Sequence, residues 1–132
     1  MLLDDKLDGL SYDVVGCAMR VHSALGSGFP EIIYQRALGV EFRRSGISFE
    51  AEIHLPVFYE GESVGARRVD FLVADQLIVE LKATSDITDA HVAQVIDYLK
   101  AYKKEVGLLL NFGTASLQHR RYLRTQTPLK PK

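Results

Sequence analysis

The chain has 132 residues, of which 47% are hydrophobic and 25% are charged, and these values exclude a disordered chain and are typical of one folded domain. The formal net charge of −1 excludes a strong overall attraction to nucleic acid, so any such attraction must come from local basic clusters. The single cysteine excludes an internal disulfide bond.

The sequence predicts neither a signal peptide nor a membrane-spanning segment. No apolar run approaches the length needed to cross a bilayer, and the acidic N-terminus lacks the layout of a signal peptide. We therefore expect a soluble, cytoplasmic protein without a membrane partner. One domain is predicted over residues 1–132, with loose tails at about 1–9 and 126–132.

The first half of the chain predicts two helices followed by a strand. Apolar residues at helical spacing predict a helix over residues 11–25, which Gly-Ser-Gly at 26–28 ends. A second helix begins near Pro30, because proline is tolerated in the first turn, and it ends at Ser45-Gly46. Apolar and polar residues alternate over 47–61, which indicates a strand.

The second half predicts a hairpin, a third helix and two more strands. Residues 64–83 contain two strand-like runs joined by a tight turn. Thr88 is placed to cap a helix running to about Lys104. Residues 107–112 are apolar without alternation, as in a strand buried on both faces, and 117–123 predict a final strand. The order α-α-β-β-β-α-β-β indicates an α/β domain whose mixed sheet is flanked by helices.

The apolar runs of the hairpin contain three charged residues, Asp70, Glu80 and Lys82. Side chains alternate faces along a strand, so Glu80 and Lys82 share a face. A two-residue loop would place Asp70 on the other face, whereas a three-residue loop, Ala74–Gln76, places it opposite Glu80. The three-residue loop leaves one face entirely apolar, so we predict that loop or an equivalent bulge. The apolar face is then Val69, Phe71, Val73, Leu77, Val79, Leu81 and Ala83.

Two carboxylates placed opposite each other need a compensating charge. At about 4–5 Å they repel by roughly 3–4 kcal/mol at an effective dielectric near 20. A hard cation such as Mg²⁺ or Mn²⁺ prefers carboxylate and water oxygens and would relieve the repulsion. The alternative is a surface ion pair between Lys82 and one of the acids.

Three basic clusters are candidates for contact with nucleic acid, although each is equally compatible with solvated surface. They are Arg43-Arg44, Arg67-Arg68 and residues 119–124.

The three charged hairpin residues also resemble the core signature of the PD-(D/E)XK nuclease superfamily, an acid on one strand followed by Glu-x-Lys on the next. Here these residues are Asp70, Glu80 and Lys82. The proline expected before the acid is absent, and Val69 stands in its place.

A second motif is similar to the GxxExxY family, a small prokaryotic branch of that superfamily. The segment GFPEIIY supplies Gly28, Glu31 and Tyr34. The resemblance extends over most of the chain, because the segments VHSALGSGFPEIIYQRAL, RVDFLV, IVELKA, HVAQVIDYLKAY and GLLLNFG occur in the family's order.

The resemblance implies a restriction-endonuclease-like αβββαβ core and a metal-dependent nuclease that hydrolyses phosphodiester bonds in nucleic acid, with DNA favoured over RNA. Lys82 would orient or activate the attacking water, and Gln94 would lie beside the site. Tyr34 would either hydrogen-bond Glu31 or pack. The implied ligands of Mg²⁺ or Mn²⁺ are Asp70, Glu80, Glu31 and the Leu81 backbone carbonyl.

Two other functions remain open at this stage. One is a non-catalytic module of the same fold that binds nucleic acid or protein. The other is a structural role in an oligomer, in which the acids join an ion-pair network. The small core also predicts a homodimer or a partner protein, either of which would help to grip a duplex.

Overall fold

The chain forms one five-stranded sheet with two helices on one face and a third helix on the other. A computed structural model describes residues 3–125, with side chains from residue 7 onward. The elements are α1 (Leu3–Leu25), α2 (Glu31–Arg44), β1 (Phe49–Tyr59), β2 (Glu62–Val73), β3 (Leu77–Lys82), α3 (Asp89–Tyr102), β4 (Val106–Asn111) and β5 (Gln118–Leu123).

The sheet is mixed, with strand order β1-β2-β3-β4-β5. Neighbouring strands are antiparallel except β3 and β4, which are parallel. A parallel pair needs a crossover connection, and α3 provides it. Every residue of β4 is buried, which confirms the prediction of a strand covered on both faces.

Two apolar cores lie on the two faces of the sheet. In the first core, α1 and α2 pack on β2, β3 and β4, with Phe42 and Phe71 in edge-to-face contact at 5.2 Å between ring centroids. In the second core, Val95, Tyr98 and Leu99 of α3 pack on the other face. The strands between the two cores are therefore held from both sides.

The first helix is longer than the sequence predicts. It begins at Leu3, and Leu7 is only 2% exposed within the first core. Leu7 precedes Val14 by seven residues, which continues the buried stripe of the helix toward the N-terminus. The predicted tail is therefore wrong for residues 3–9, while residues 1–2 and the predicted tail at 126–132 lie outside the described residues.

The second and third helices begin close to the predicted positions. Pro30 precedes the first residue of α2. The Thr88 hydroxyl accepts a hydrogen bond from the His91 N–H (3.3 Å), and His91 Nδ1 accepts one from the Thr88 N–H (3.2 Å). This reciprocal cap satisfies two backbone donors that the first turn would otherwise leave free. Within residues 3–125, no helix is long and apolar enough to cross a bilayer.

The hairpin of β2 and β3 has the predicted three-residue loop. Val73 pairs with Leu77, and Ala74 and Asp75 adopt left-handed conformations (φ 51° and 57°) that close the turn. The register predicted from the apolar face is thus confirmed.

One residue of the predicted apolar face was placed wrongly. Val69 packs with Ile78 in the second core, whereas Phe71 packs in the first. The adjacent strand β1 changes face at the same point. Its residue Glu52 has a left-handed φ of 56°, and the next residue, Ile53, pairs with Val69 and packs against the second core. The irregularity interrupts the alternation of β2 next to Asp70.

Candidate active site

The two acids of the hairpin meet where β2 and β3 diverge. Backbone pairing of these strands ends at Phe71 and Val79. Beyond this pair, hydrogen bonds between side chains and backbone connect the two strands. The Asp70 N–H donates to Glu80 Oε1 (2.8 Å), and the Leu81 N–H donates to Asp70 Oδ2 (2.8 Å). Each carboxylate therefore replaces a backbone acceptor across the gap, and its second oxygen accepts no hydrogen bond from the described residues.

Burial makes this acid pair electrostatically costly. Asp70 is 5% exposed and Glu80 is 3% exposed. Burial raises the pKa of Glu80 to about 8, and the negative charge of Asp70 adds to the rise. Burial also raises the pKa of Asp70, although the Leu81 N–H and the charges of Arg68 and Lys82 oppose it. The pair resists double ionisation unless further positive charge is brought to it.

Lys82 lies beside the acids without forming an ion pair with either. Its Nζ donates to Gln94 Oε1 of α3 (3.0 Å). Among the residues with described side chains, no carboxylate oxygen lies within 4.0 Å of this nitrogen. Lys82 therefore does not form the surface ion pair with one of the acids that was the alternative prediction. Instead, Gln94 holds a half-buried cation close enough to oppose the rise in pKa of both acids.

Glu31 begins α2 and brings a third acid toward the site. Burial and then the negative charge of Asp70 raise the pKa of Glu31, while the charges of Lys82 and Arg68 oppose this rise. However, among the described residues no three His, Cys, Asp or Glu side chains are close enough together to hold a metal ion. In this structure Glu31 thus lies within electrostatic range of the acid pair without completing a three-residue ligand cluster.

The Leu81 backbone is directed toward the same gap. In a strand, the N–H and C=O of one residue point to the same side. Because the Leu81 N–H donates to Asp70, its carbonyl oxygen also points between β2 and β3. The role of this oxygen as a metal ligand stays a prediction.

Two residues beside the acids were not assigned to the site from the sequence, although Arg68 belonged to one of the basic clusters. Arg68 Nη2 donates to Gln35 Oε1 (2.7 Å) and Glu52 Oε1 (3.0 Å), and it lies 4.0 Å from Asp70 Oδ1. The Tyr98 hydroxyl donates to the Arg68 carbonyl (3.1 Å). Burial, with the charge of Glu80, raises the pKa of Tyr98 to about 12 and keeps it a donor. Only their spacing in the sequence could have indicated that they belong to the site. Arg68 is two residues before Asp70, and Tyr98 is one helical turn after Gln94.

The chain also matches the family model of the PD-(D/E)XK nuclease superfamily over residues 8–123. It belongs to this superfamily. Among solved structures, the crystal structure of SSO0001 is similar, with a TM-score of 0.58 at 17% sequence identity. The match covers 76% of this chain and 52% of SSO0001, so the chain spans about half the length of that protein. No curated protein matches.

These matches agree with the observed architecture. A mixed five-stranded sheet flanked by helices is the α/β arrangement of a restriction-endonuclease-like fold. The fold class predicted from the sequence is thereby confirmed.

A buried amide in this PD-(D/E)XK chain fixes the backbone just after Lys82. Asn111, which is fully buried, accepts from the N–H groups of Thr84 (3.0 Å) and Gly113 (3.1 Å). Its Nδ2 donates to the Thr84 carbonyl (3.0 Å) and to Gln118 Oε1 (2.9 Å). A Cβ at Gly113 would collide with the Thr84 backbone, so glycine permits this close approach. The end of β3, and with it Lys82, is thus tied to β4.

The two histidines nearest these elements have structural contacts. His22 is buried, with Nε2 2.9 Å from the Thr114 carbonyl. His91 caps α3, and burial, with the charge of Lys82, lowers its pKa. His91 is half-buried, because its ring folds back on the helix end.

Tyr34 packs instead of binding Glu31. Its hydroxyl donates to the Gly26 carbonyl (2.5 Å) and accepts from the Phe29 N–H (3.2 Å). The ring stacks on Phe112 at 4.7 Å between centroids, and the residue is fully buried. Tyr34 therefore anchors the turn that leads into α2 and places Glu31.

We expect Tyr34→Phe to lower the free energy of unfolding by about 1–3 kcal/mol, because it removes two hydrogen bonds, each worth about 0.5–1.5 kcal/mol. Urea denaturation followed by circular dichroism measures this change. Tyr12→Phe is the matched control, since Tyr12 is 80% exposed, and it should change stability by less than about 0.5 kcal/mol. Equal effects of the two substitutions would show that the Tyr34 hydroxyl does not hold the turn.

Proposed function

We propose that this protein is a metal-dependent nuclease that hydrolyses phosphodiester bonds in nucleic acid, with DNA favoured over RNA. The observation that carries the proposal is the buried Asp70–Glu80 pair with Lys82 beside it, which forms no ion pair with any described side chain. A purely structural charge cluster would be expected to neutralise its buried charges internally. Membership of the PD-(D/E)XK nuclease superfamily supports the same conclusion.

The oxygens at the gap fit a hard divalent cation such as Mg²⁺ or Mn²⁺. Asp70 and Glu80 would hold it, with the Leu81 carbonyl as a further ligand, and Glu31 would approach directly or through water. The raised pKa of Glu80 fits this assignment, because a bound cation would favour the ionised carboxylate. When bound, the cation would polarise a phosphate oxygen and lower the pKa of an attacking water.

The remaining roles fall to residues on β3 and α3. Lys82 offers a compact positive charge at the position where charge develops on the phosphate, and it orients the attacking water. Gln94 accepts from Lys82 Nζ and so keeps the ammonium group directed toward the site. Gln94 is therefore a positioning residue for Lys82.

The direct test is a nuclease assay on single- and double-stranded DNA and RNA, with Mg²⁺, Mn²⁺ or EDTA. We expect cleavage by the wild-type chain only when a divalent cation is present, and we expect Glu80→Ala to abolish it. Cleavage that persists at the wild-type rate in Glu80→Ala would overturn the assigned site. The same assay on DNA and RNA of one sequence decides the preferred substrate.

A non-catalytic module that binds nucleic acid or protein is the second candidate. It is favoured by the absence, among the described residues, of three acidic or metal-binding side chains close enough to hold an ion. Nucleic-acid binding that is sensitive to salt, in a protein whose melting temperature does not respond to Mg²⁺ or Mn²⁺, would favour this candidate over the nuclease.

We also assign the chain to the GxxExxY branch. The structural roles of the three motif residues support the assignment. Gly28 has φ +116°, a backbone angle that residues with a side chain rarely adopt. Glu31 begins α2 beside the acid pair, and Tyr34 anchors the turn before this helix. A homodimer or a partner protein that helps grip a duplex, and a cytoplasmic location, remain predictions of the sequence.

A further inference from the structure

Two neighbouring arginines of β2 differ in what they contact, although the sequence treats them as one cluster. Their side chains are almost equally exposed, 42% for Arg67 and 43% for Arg68. Arg67 Nη1 lies 3.5 Å from Asp97 Oδ2 of α3, on one face of the sheet. Arg68 turns to the other face, where it contacts Gln35 of α2 and Glu52 of β1.

Arg68 is held rigidly from two sides. Gln35, which is 5% exposed, accepts from Nη2 at 2.7 Å and so fixes the guanidinium. The Tyr98 hydroxyl donates to the Arg68 backbone carbonyl and fixes the strand at this residue. An arginine whose side chain and backbone are both anchored loses little entropy when it binds a ligand.

The guanidinium of Arg68 lies next to the acid pair. Arg68 Nη2 is 4.0 Å from Asp70 Oδ1, and its charge opposes the rise in pKa of Asp70 and of Glu31. Lys82 reaches the same acids from β3, where Gln94 of α3 holds it. The two cations are thus supported by helices on opposite faces of the sheet, with the acids between them.

We propose that Arg68 is a substrate-binding residue that takes a backbone phosphate of the nucleic acid at this site. The proposal deepens the nuclease function and rests on it. Within the described part of the chain, the contacts of the guanidinium with Gln35, Glu52 and Asp70 all use Nη2. Nε and Nη1 therefore keep N–H donors that can form charge-assisted hydrogen bonds with a backbone phosphate.

Electrostatics explains why such a residue is needed. Asp70, Glu80, Glu31 and Glu52 surround the gap, and each of them repels a phosphodiester when it is ionised. A fixed guanidinium beside Asp70 gives the substrate an attractive contact close to the acids. Arg67 cannot make that contact, because its ion pair with Asp97 lies on the other face.

The test compares Arg68→Gln with Arg67→Gln as the matched control. Binding of fluorescein-labelled DNA and RNA oligonucleotides is measured by fluorescence anisotropy, with Ca²⁺ in place of Mg²⁺ and over a range of salt concentrations. We expect Arg68→Gln to weaken binding about tenfold or more and to reduce the slope of log affinity against log salt by about one. Arg67→Gln should stay within about twofold of wild type, since Arg67 pairs with Asp97 of α3 on the other face of the sheet, away from Asp70.

Three further measurements sharpen the result. Thermal unfolding checks that both variants fold. Arg68→Lys keeps the charge but loses the anchored guanidinium, so it should bind with intermediate affinity at an unchanged salt slope. Ca²⁺ affinity without nucleic acid should hold or rise in Arg68→Gln, because a repelling cation has been removed. A fall in Ca²⁺ affinity that accounts for the loss of oligonucleotide binding would overturn the proposal, because Arg68 would then act through the acid pair.

The remaining outcomes separate this inference from the nuclease function. Equal weakening by the two glutamine variants, or no weakening by Arg68→Gln, overturns the role of Arg68 even if the wild-type chain cleaves. Binding that depends on Arg68 in a chain that cleaves nothing with Mg²⁺ or Mn²⁺ supports the phosphate contact and overturns the nuclease. A wild-type chain that binds no oligonucleotide overturns the role of Arg68 as well.

Discussion

Lys82→Ala is expected to slow phosphodiester cleavage by a factor of about 100 to 1000, the usual cost of removing one group that stabilises charge in the transition state. The structure gives the reason. Lys82 Nζ is half-buried, bonds to Gln94 and lies within electrostatic range of Asp70, Glu80 and Glu31. Its charge is therefore free to act on a phosphate. The rate is measured in single turnover with Mg²⁺ or Mn²⁺, so that binding and chemistry are separated.

Lys100→Ala is the matched control for this prediction, because Lys100 is an exposed lysine in the last turn of α3. We expect it to cleave at close to the wild-type rate. Gln94→Ala should lie between the two, since it frees Lys82 without removing its charge. If Lys82→Ala cleaves as fast as Lys100→Ala, Lys82 has no part in the reaction.

The acid pair should also make the metal-free protein less stable as the pH rises. The pKa of Glu80 is about 8 in the folded chain against an ordinary value of 4.5, so between these values the folded state holds a proton that the unfolded state has lost. Stability is then highest below the lower pKa and falls as the pH rises toward the higher one. The loss from Glu80 amounts to at most about 5 kcal/mol. The raised pKa of Asp70 acts in the same direction.

Urea denaturation in EDTA, from about pH 5 to about pH 9, measures this dependence. Glu80→Gln keeps the shape of the side chain without an ionisable proton, so it should flatten the profile and be more stable than wild type at the alkaline end. Glu50→Gln, at an exposed acid of β1, should leave the profile unchanged. Mg²⁺ should stabilise the wild type more at the alkaline end than at the acid end, because binding requires the ionised carboxylates. Parallel profiles for the wild type and Glu80→Gln would contradict the prediction.

Local sequence patterns determined the elements and the position of the acid pair. The apolar alternation through Phe71, Val73, Leu77 and Val79 required a loop with an odd number of residues, because a shift of one residue would expose the whole buried face. The apolar run of β4 and the cap at Thr88 were equally local signals. Since Asp70 and Glu80 belong to the same hairpin, their approach followed from its register.

Contacts between distant segments decided the rest. A left-handed residue in β1, Glu52, accompanies the change of face at Val69, and no pattern within β2 indicates it. The direction of Arg68 depends on Gln35 in another element, so the sequence could not separate Arg68 from Arg67. Likewise, the distance of Glu31 from the acids depends on how α2 packs on the sheet. Periodicity specifies which face of an element is buried, whereas the surroundings of one side chain depend on packing between elements that are distant in the chain.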